Sequence, residues 1–241
     1  MKNWEIRSFH KDLQTFAELL EQYHVPCQID PIYTIIGTLS NPHSHSIKYT
    51  LNNIPFKISK KISGSLPVDM EEYQIFFDNS ISIDKSNTFN EDCISEYLFE
   101  INITGYTFEK EAPLKSCWHL DRHIESESGG DGIPRFTHPS YHFQFGGRFI
   151  DKCDTGDLGI LSAPRIPHPP MDIFLGIHFI INNFYSRKDY NFVNEILENY
   201  DYQEIIKRAQ ERLWVPYFKA FSLANTHNDF TINKVFPLYI K

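Results

Sequence analysis

The stretch EYLFEINITGYTFE, residues 96–109, alternates along most of its length. Tyr97, Phe99, Ile101 and Ile103 fall on one side, and Leu98, Glu100, Asn102 and Thr104 on the other. A period of two is the geometry of a β-strand, and this pattern predicts one buried face. Gly105 predicts a bulge or bend near its end.

The same character extends in both directions. Upstream, IYTIIGTL (32–39), HSIKYTLNNIPFKIS (45–59) and YQIFFDNSISI (73–83) are short β-branched and aromatic runs separated by Asn, Pro, Gly and Ser, and each reads as strand. Downstream, SCWHLDRHI (116–124) and HPSYHFQFGG (138–147) read as strands, and RFIDKC (148–153) and LGILSA (158–163) as two more short ones. In the second of these, Tyr141, Phe143 and Phe145 oppose His142 and Gln144. ESESGGDGIPRF (125–136), with three glycines and a proline, reads as a mobile flap.

Both ends change period. Leu13, Phe16, Leu19, Leu20 and Tyr23 make a helical stripe in HKDLQTFAELLEQYHV (10–25). PRIPHPPMD (164–172) has four prolines in seven residues and predicts no regular element, while Asp172 is placed to cap a helix. IFLGIHFIINNFY (173–185) is apolar throughout; periodicity does not choose between helix and strand, and the helical chain that follows favours helix. Phe192, Ile196 and Leu197, then Ile205, Ile206, Ala209 and Leu213, keep helical spacing. The expectation is one domain over 1–241, with a helix at 10–23, a β-rich part at 30–163 and a helical part at 172–222. This is an α+β fold: a central antiparallel β-sheet with an N-terminal helix and C-terminal helices.

The 241 residues carry a formal charge of −8, and no run of five Lys or Arg occurs. A broad nucleic-acid footprint is therefore not supported by the net charge. No apolar run reaches the roughly 18 residues that cross a bilayer. MKNWEIRSFHKDLQ lacks the apolar core of a signal peptide. The expected setting is the cytoplasm, with a protein partner or a second copy of the chain as company. Cys27, Cys93, Cys117 and Cys153 form no C-x-x-C pair, which argues against a zinc knuckle, and with no signal peptide expected the thiols are expected to be reduced.

Six of the eleven histidines lie between 119 and 178: His119, His123, His138, His142, His168 and His178. Alternation puts His119, Asp121 and His123 on one face, and a neighbouring 138–147 strand would add His142 and Gln144. The proline-rich loop would bring Arg165 and His168 over the top. His119, Asp121, His142, His168 and Arg165 are the catalytic candidates, and Gly146 and Gly147 mark an unusual backbone beside them. Imidazole and carboxylate suit a divalent metal such as zinc, iron or manganese. Without metal the same groups suit general acid–base work. The same pattern is also that of a strand's polar face, with Asp121 and Arg122 paired to neighbours. His178, in an apolar segment, reads as a hydrogen-bonded core residue, and His43 and His45 as loop residues.

Two family resemblances follow. WHLD (118–121) followed by GDLGILSAPRIPH (156–168) resembles iron- and 2-oxoglutarate-dependent oxygenases. That resemblance implies a facial metal triad of His119, Asp121 and His168. An H-P-x-x-H strand ending in glycine, a proline-rich loop, an apolar segment ending in NFY and the closing LWVPYF (213–218) resemble an uncharacterised bacterial family. Such families often sit beside mobile elements or defence genes, and the likeness implies no activity. Three functions are thus expected to compete: a metal-dependent hydrolase or nuclease-like phage-defence effector, an oxygenase, and a non-catalytic protein-binding subunit. Arg122, Arg135, Arg148 and Arg165 cluster in sequence near the histidines and leave a phosphate patch open, though they would equally pair with Asp131, Asp151, Asp154 and Asp157.

Overall fold

A computed structural model describes residues 4–39, 46–62, 72–83, 92–107, 113–123, 139–146, 166–219 and 235. Within them the strands are β1 (Ile47–Ile58), β2 (Glu72–Ile83), β3 (Ile94–Tyr106), β4 (Leu114–Arg122), β5 (Tyr141–Phe145) and β6 (Ile166–Pro167). They form one sheet in chain order, every neighbouring pair antiparallel. The helices are α1 (Ile6–Gln22), α2 (Asp30–Leu39), α3 (Ile173–Phe184), α4 (Asn191–Glu198) and α5 (Tyr200–Phe218). The expected α+β order holds, and the apolar segment at 173 is helix, with Asp172 accepting the Leu175 amide as its cap.

One sheet face carries the core. Phe77 and Phe99 meet edge to face, and Phe143 packs against Phe179 of α3. Gly176 lets α3 approach: a side chain there would run into the rings of Phe77 and Phe99. Phe174 of α3 in turn packs against Phe9 and Phe16 of α1. Each such buried ring contributes about 1.5–3 kcal/mol relative to exposure. A buried ion network ties the helices together: Asp12 accepts from Arg208 and Arg212, and Arg212 lies over the rings of Trp4, Phe9 and Phe174.

The structure corrects four expectations. IYTIIGTL is helix α2, so strands begin at 47 and not at 30. Ile32, Ile35, Ile36 and Leu39 are its buried residues, at i, i+3, i+4 and i+7, and burial of that stripe overrides β-branched propensity. Gly105 pairs regularly with Tyr73 and Leu114; the register shifts instead lie at Leu51/Ile54 and Ser82/Ile83. Ile166–Pro167 forms a two-residue edge strand, tolerated because an edge leaves proline's missing amide unneeded. Finally, β3 buries Glu100 and Thr104 on its second face as well as Phe99 and Ile101 on its first. The flap at 125–136 and the expected strands at 148–153 and 158–163 lie outside the described residues.

The proline-rich segment before α3 is pinned to the sheet. Tyr49 donates to Asn79 and accepts the Ile173 amide, and the Asn79 amide donates to Leu98 O and Met171 O. The Trp214 indole donates to Pro170 O. These bonds fix where the chain that follows His168 must run.

Candidate functional site

The sheet face away from α3 holds the polar residues. Register sets them in rows, because directly paired residues share a face. Asp78 pairs with Glu100, Glu100 with His119, and His119 with Gln144. Asp121 pairs with His142 in the next row. Glu100, His119, His142 and Gln144 are all buried, and His142 is only 3% exposed. The Asp121 side chain, at 54%, is the group that meets solvent.

His119 is held at both ring nitrogens. Its Nδ1 is 2.7 Å from Gly146 O, and its Nε2 is 3.0 Å from Asp121 Oδ2. A carbonyl only accepts, so Nδ1 carries hydrogen. An ionised carboxylate also only accepts, so Nε2 carries one too. With Asp121 ionised, both contacts together suit an imidazolium. Burial pushes the His119 pKa down, but the hydrogen bond and charge of Asp121, the Gly146 carbonyl and the Glu100 charge outweigh it and raise it. Gly146 makes this possible through a φ of 110°, a conformation that side-chain-bearing residues rarely take. Its own amide donates to Cys117 O, so the turn is anchored while its carbonyl faces the ring.

His142 Nε2 lies 3.9 Å from the same Asp121 Oδ2. Two imidazoles and a carboxylate therefore converge from adjacent strands. A substrate group entering beside Asp121 meets an acceptor there and a proton donor behind it.

His168 is elsewhere. Pro167 pairs with His142, so His168 falls on the opposite face. There its ring packs between Phe143 and Trp214, its Nδ1 bonds to Pro169 O, and burial lowers its pKa. The set His119, Asp121 and His168 is thus not brought together. Among the described residues no three His, Cys, Asp or Glu side chains are arranged to hold a metal ion. The residues present do not fit the implied metal triad, for a reason of strand parity. Arg165, His138, Arg135, Arg148, His43 and His45 lie outside the described residues.

Two neighbours resolve separately. Arg122 donates to Asp92, which also accepts from Tyr141. His178 has the Tyr202 hydroxyl 3.1 Å from Nδ1, and burial pushes its pKa down to about 4. Glu100 and Asp78 were not singled out from the sequence. Alternation puts Glu100 on the polar side, but only register sets it opposite His119.

No family model matches the chain, and neither a curated protein nor a solved structure does so significantly.

Proposed function

We propose that this face is the active site of a hydrolase working by proton transfer, with His119 as general acid, Asp121 as general base and His142 as the second imidazole. The observation that carries the reading is the placing of His119, buried and held at both ring nitrogens between Gly146 O and an exposed carboxylate. A positioned acid and base of this kind accelerate a reaction by about 10²–10⁴-fold. Asp121 takes the proton of an attacking water, and His119 supplies one to the leaving group.

Charge bears on the substrate. Asp78, Glu100 and Asp121 share the face with one imidazole and the exposed Lys115, so the carboxylates still outnumber the cations. An anion brought within about 7 Å of a carboxylate is repelled by about 2 kcal/mol at an effective dielectric near 20. This favours a neutral or cationic substrate over a phosphodiester, and a transition state that gains positive charge. The thiols of Cys27 and Cys93, outside any disulfide, accord with a reducing cytoplasmic setting.

The test is a hydrolysis screen over esters, glycosides and N-glycosides, run before and after chelator treatment. Turnover should survive chelation and fall by about 10²–10⁴-fold in His119→Gln and in Asp121→Asn. Turnover that vanishes with the chelator, or that His119→Gln leaves intact, overturns the reading.

A further inference from the structure

β1 is an edge of the sheet: among the strands it pairs with β2 alone. An edge strand carries a row of backbone N–H and C=O groups that no neighbouring strand takes up. Alternation says which groups these are. The Lys57 amide donates to Pro26 O, away from β2, so Lys57 and Pro55 point outward while Ile54 and Phe56 point to β2. Their partners Phe77 and Ile75 then face β1, and so do Asn79 and Ile81 further along β2. Leu51 and Tyr49, paired with these two, face β2 in turn, which turns the backbone of Lys48 and Thr50 outward.

The two halves of this edge differ. From 52 to 58 it is blocked. The register shifts between Leu51 and Ile54, Asn53 sits at a φ of 55°, Pro55 puts its missing amide on the outside, and Cys27 bridges to Phe56. Bulge, proline and cover are the usual means of closing an edge. From 47 to 51 none of these is present among the described residues. There the outward groups of Lys48 and Thr50 have no partner among the described residues. A lysine also guards edges, but the Lys48 ammonium is drawn to Glu96, 2.7 Å away and two strands into the sheet.

Along this open half runs a groove of about 560 Å³ between β1 and α2. That lies within the roughly 300–1,000 Å³ that bound ligands occupy. Tyr49 of the core face lines it together with Lys48, Thr50 and Asn52 of the other face, so the groove follows the strand's edge and not one side of it. Thr34 and Thr38 of α2 stand across it. Each donates its hydroxyl to its own helix, to Asp30 O and Ile35 O, and neither has a hydrogen left for a ligand. Recognition is thus left to the backbone of β1. Exposed Asp30 also lines the groove and has no cationic partner among the described residues, whereas the charge of Lys48 is already matched by Glu96.

We propose that this groove takes an extended, cationic peptide segment of a partner protein, which adds to β1 as an antiparallel strand. Two of its residues, opposite Lys48 and Thr50, exchange four backbone bonds with them. A second copy of this chain fits worse. It would bring its own α2 along its own edge into the same groove, and two chains of formal charge −8 would meet. The groove is remote in the sheet from β4 and β5, so the proposal goes beyond the acid–base reading and does not depend on it.

The experiment is fluorescence anisotropy on the whole chain with a labelled, capped hexapeptide of alternating Val and Thr that carries a lysine at each end. It should bind one to one. N-methylating every peptide amide should weaken it by about tenfold or more, the size of one or two net hydrogen bonds. Exchanging its lysines for glutamates should weaken it as well, and Asp30→Asn should narrow that difference. Thr50→Pro removes an outward amide that β2 does not use, so it should abolish binding with the thermal midpoint within a few degrees of wild type. In wild type the Lys48 and Thr50 amides should exchange with solvent faster than those of Tyr49 and Leu51, and should slow when the peptide binds. The proposal is overturned if the lysine-ended peptide does not bind, if its N-methylated form binds as well, if the glutamate-ended form binds more tightly, or if exchange at Lys48 and Thr50 is unchanged by the peptide. Unchanged binding by a folded Thr50→Pro overturns it too. A concentration-dependent dimer in sedimentation that Thr50→Pro dissolves would give the edge to a second copy, and the peptide assignment would fall.

Discussion

The Tyr97 hydroxyl donates to Met171 O at 3.0 Å and accepts the Met171 amide at 2.9 Å. One phenol thus satisfies both backbone groups of a residue 74 positions away, and it does so where the proline-rich segment can make no ladder of its own. Tyr97→Phe keeps the ring, strands the Met171 amide and leaves the Met171 carbonyl only the longer bond from Asn79. The variant should lose about 1–3 kcal/mol, read from urea unfolding with an unchanged denaturant slope. A loss under about 0.5 kcal/mol would mean that water replaces the phenol at no cost.

Asp121 and Glu100 both raise the His119 pKa, Asp121 the more strongly. In an NMR titration of the His119 ring, Asp121→Asn should therefore lower its midpoint, and Glu100→Gln should lower it by less. The reverse order would place the buried row, and not the exposed carboxylate, in control of the imidazolium.

Two histidines shape the pH dependence of stability in opposite directions. For His119 the folded value is raised, so its contribution is complete below the unfolded value of about 6.5 and is lost as pH rises through the folded value. For His178 the folded value is lowered to about 4, so its contribution is complete above about 6.5 and is lost as pH falls toward 4. Urea midpoints from pH 4 to 9 should show His119→Gln flattening the alkaline limb and His178→Asn the acid one. A variant that flattens the wrong limb refutes its assignment.

Gly176→Ala tests the contact between α3 and the sheet. The added methyl meets the Phe77 ring and comes 3.0 Å from Phe99 Cε2. Both rings are fully buried in the core and have little room to give, so overpacking should cost about 1–3 kcal/mol. A thermal midpoint equal to wild type would show that the rings can rotate aside.

Local periodicity in the sequence was sufficient for most elements. The alternation of 96–104, the 3.6-residue stripes of α1 and α5 and the Asp172 cap are properties of neighbouring residues, and neighbours are what a sequence displays. The shared face of His119, Asp121 and His142 followed from the same parity in two strands. Tertiary structure decided the rest. Burial of Ile32, Ile35, Ile36 and Leu39 made a helix of a β-branched run. Register set Asp78 and Glu100 in line with His119, because pairing compares residues far apart in the chain. His168 was decided by a single residue: with Pro167 opposite His142, it turns to the helix-covered face, and a slip of one would have brought it into the site. The segment just after it is held by long-range bonds from Tyr49, Asn79, Tyr97 and Trp214, which no local pattern displays.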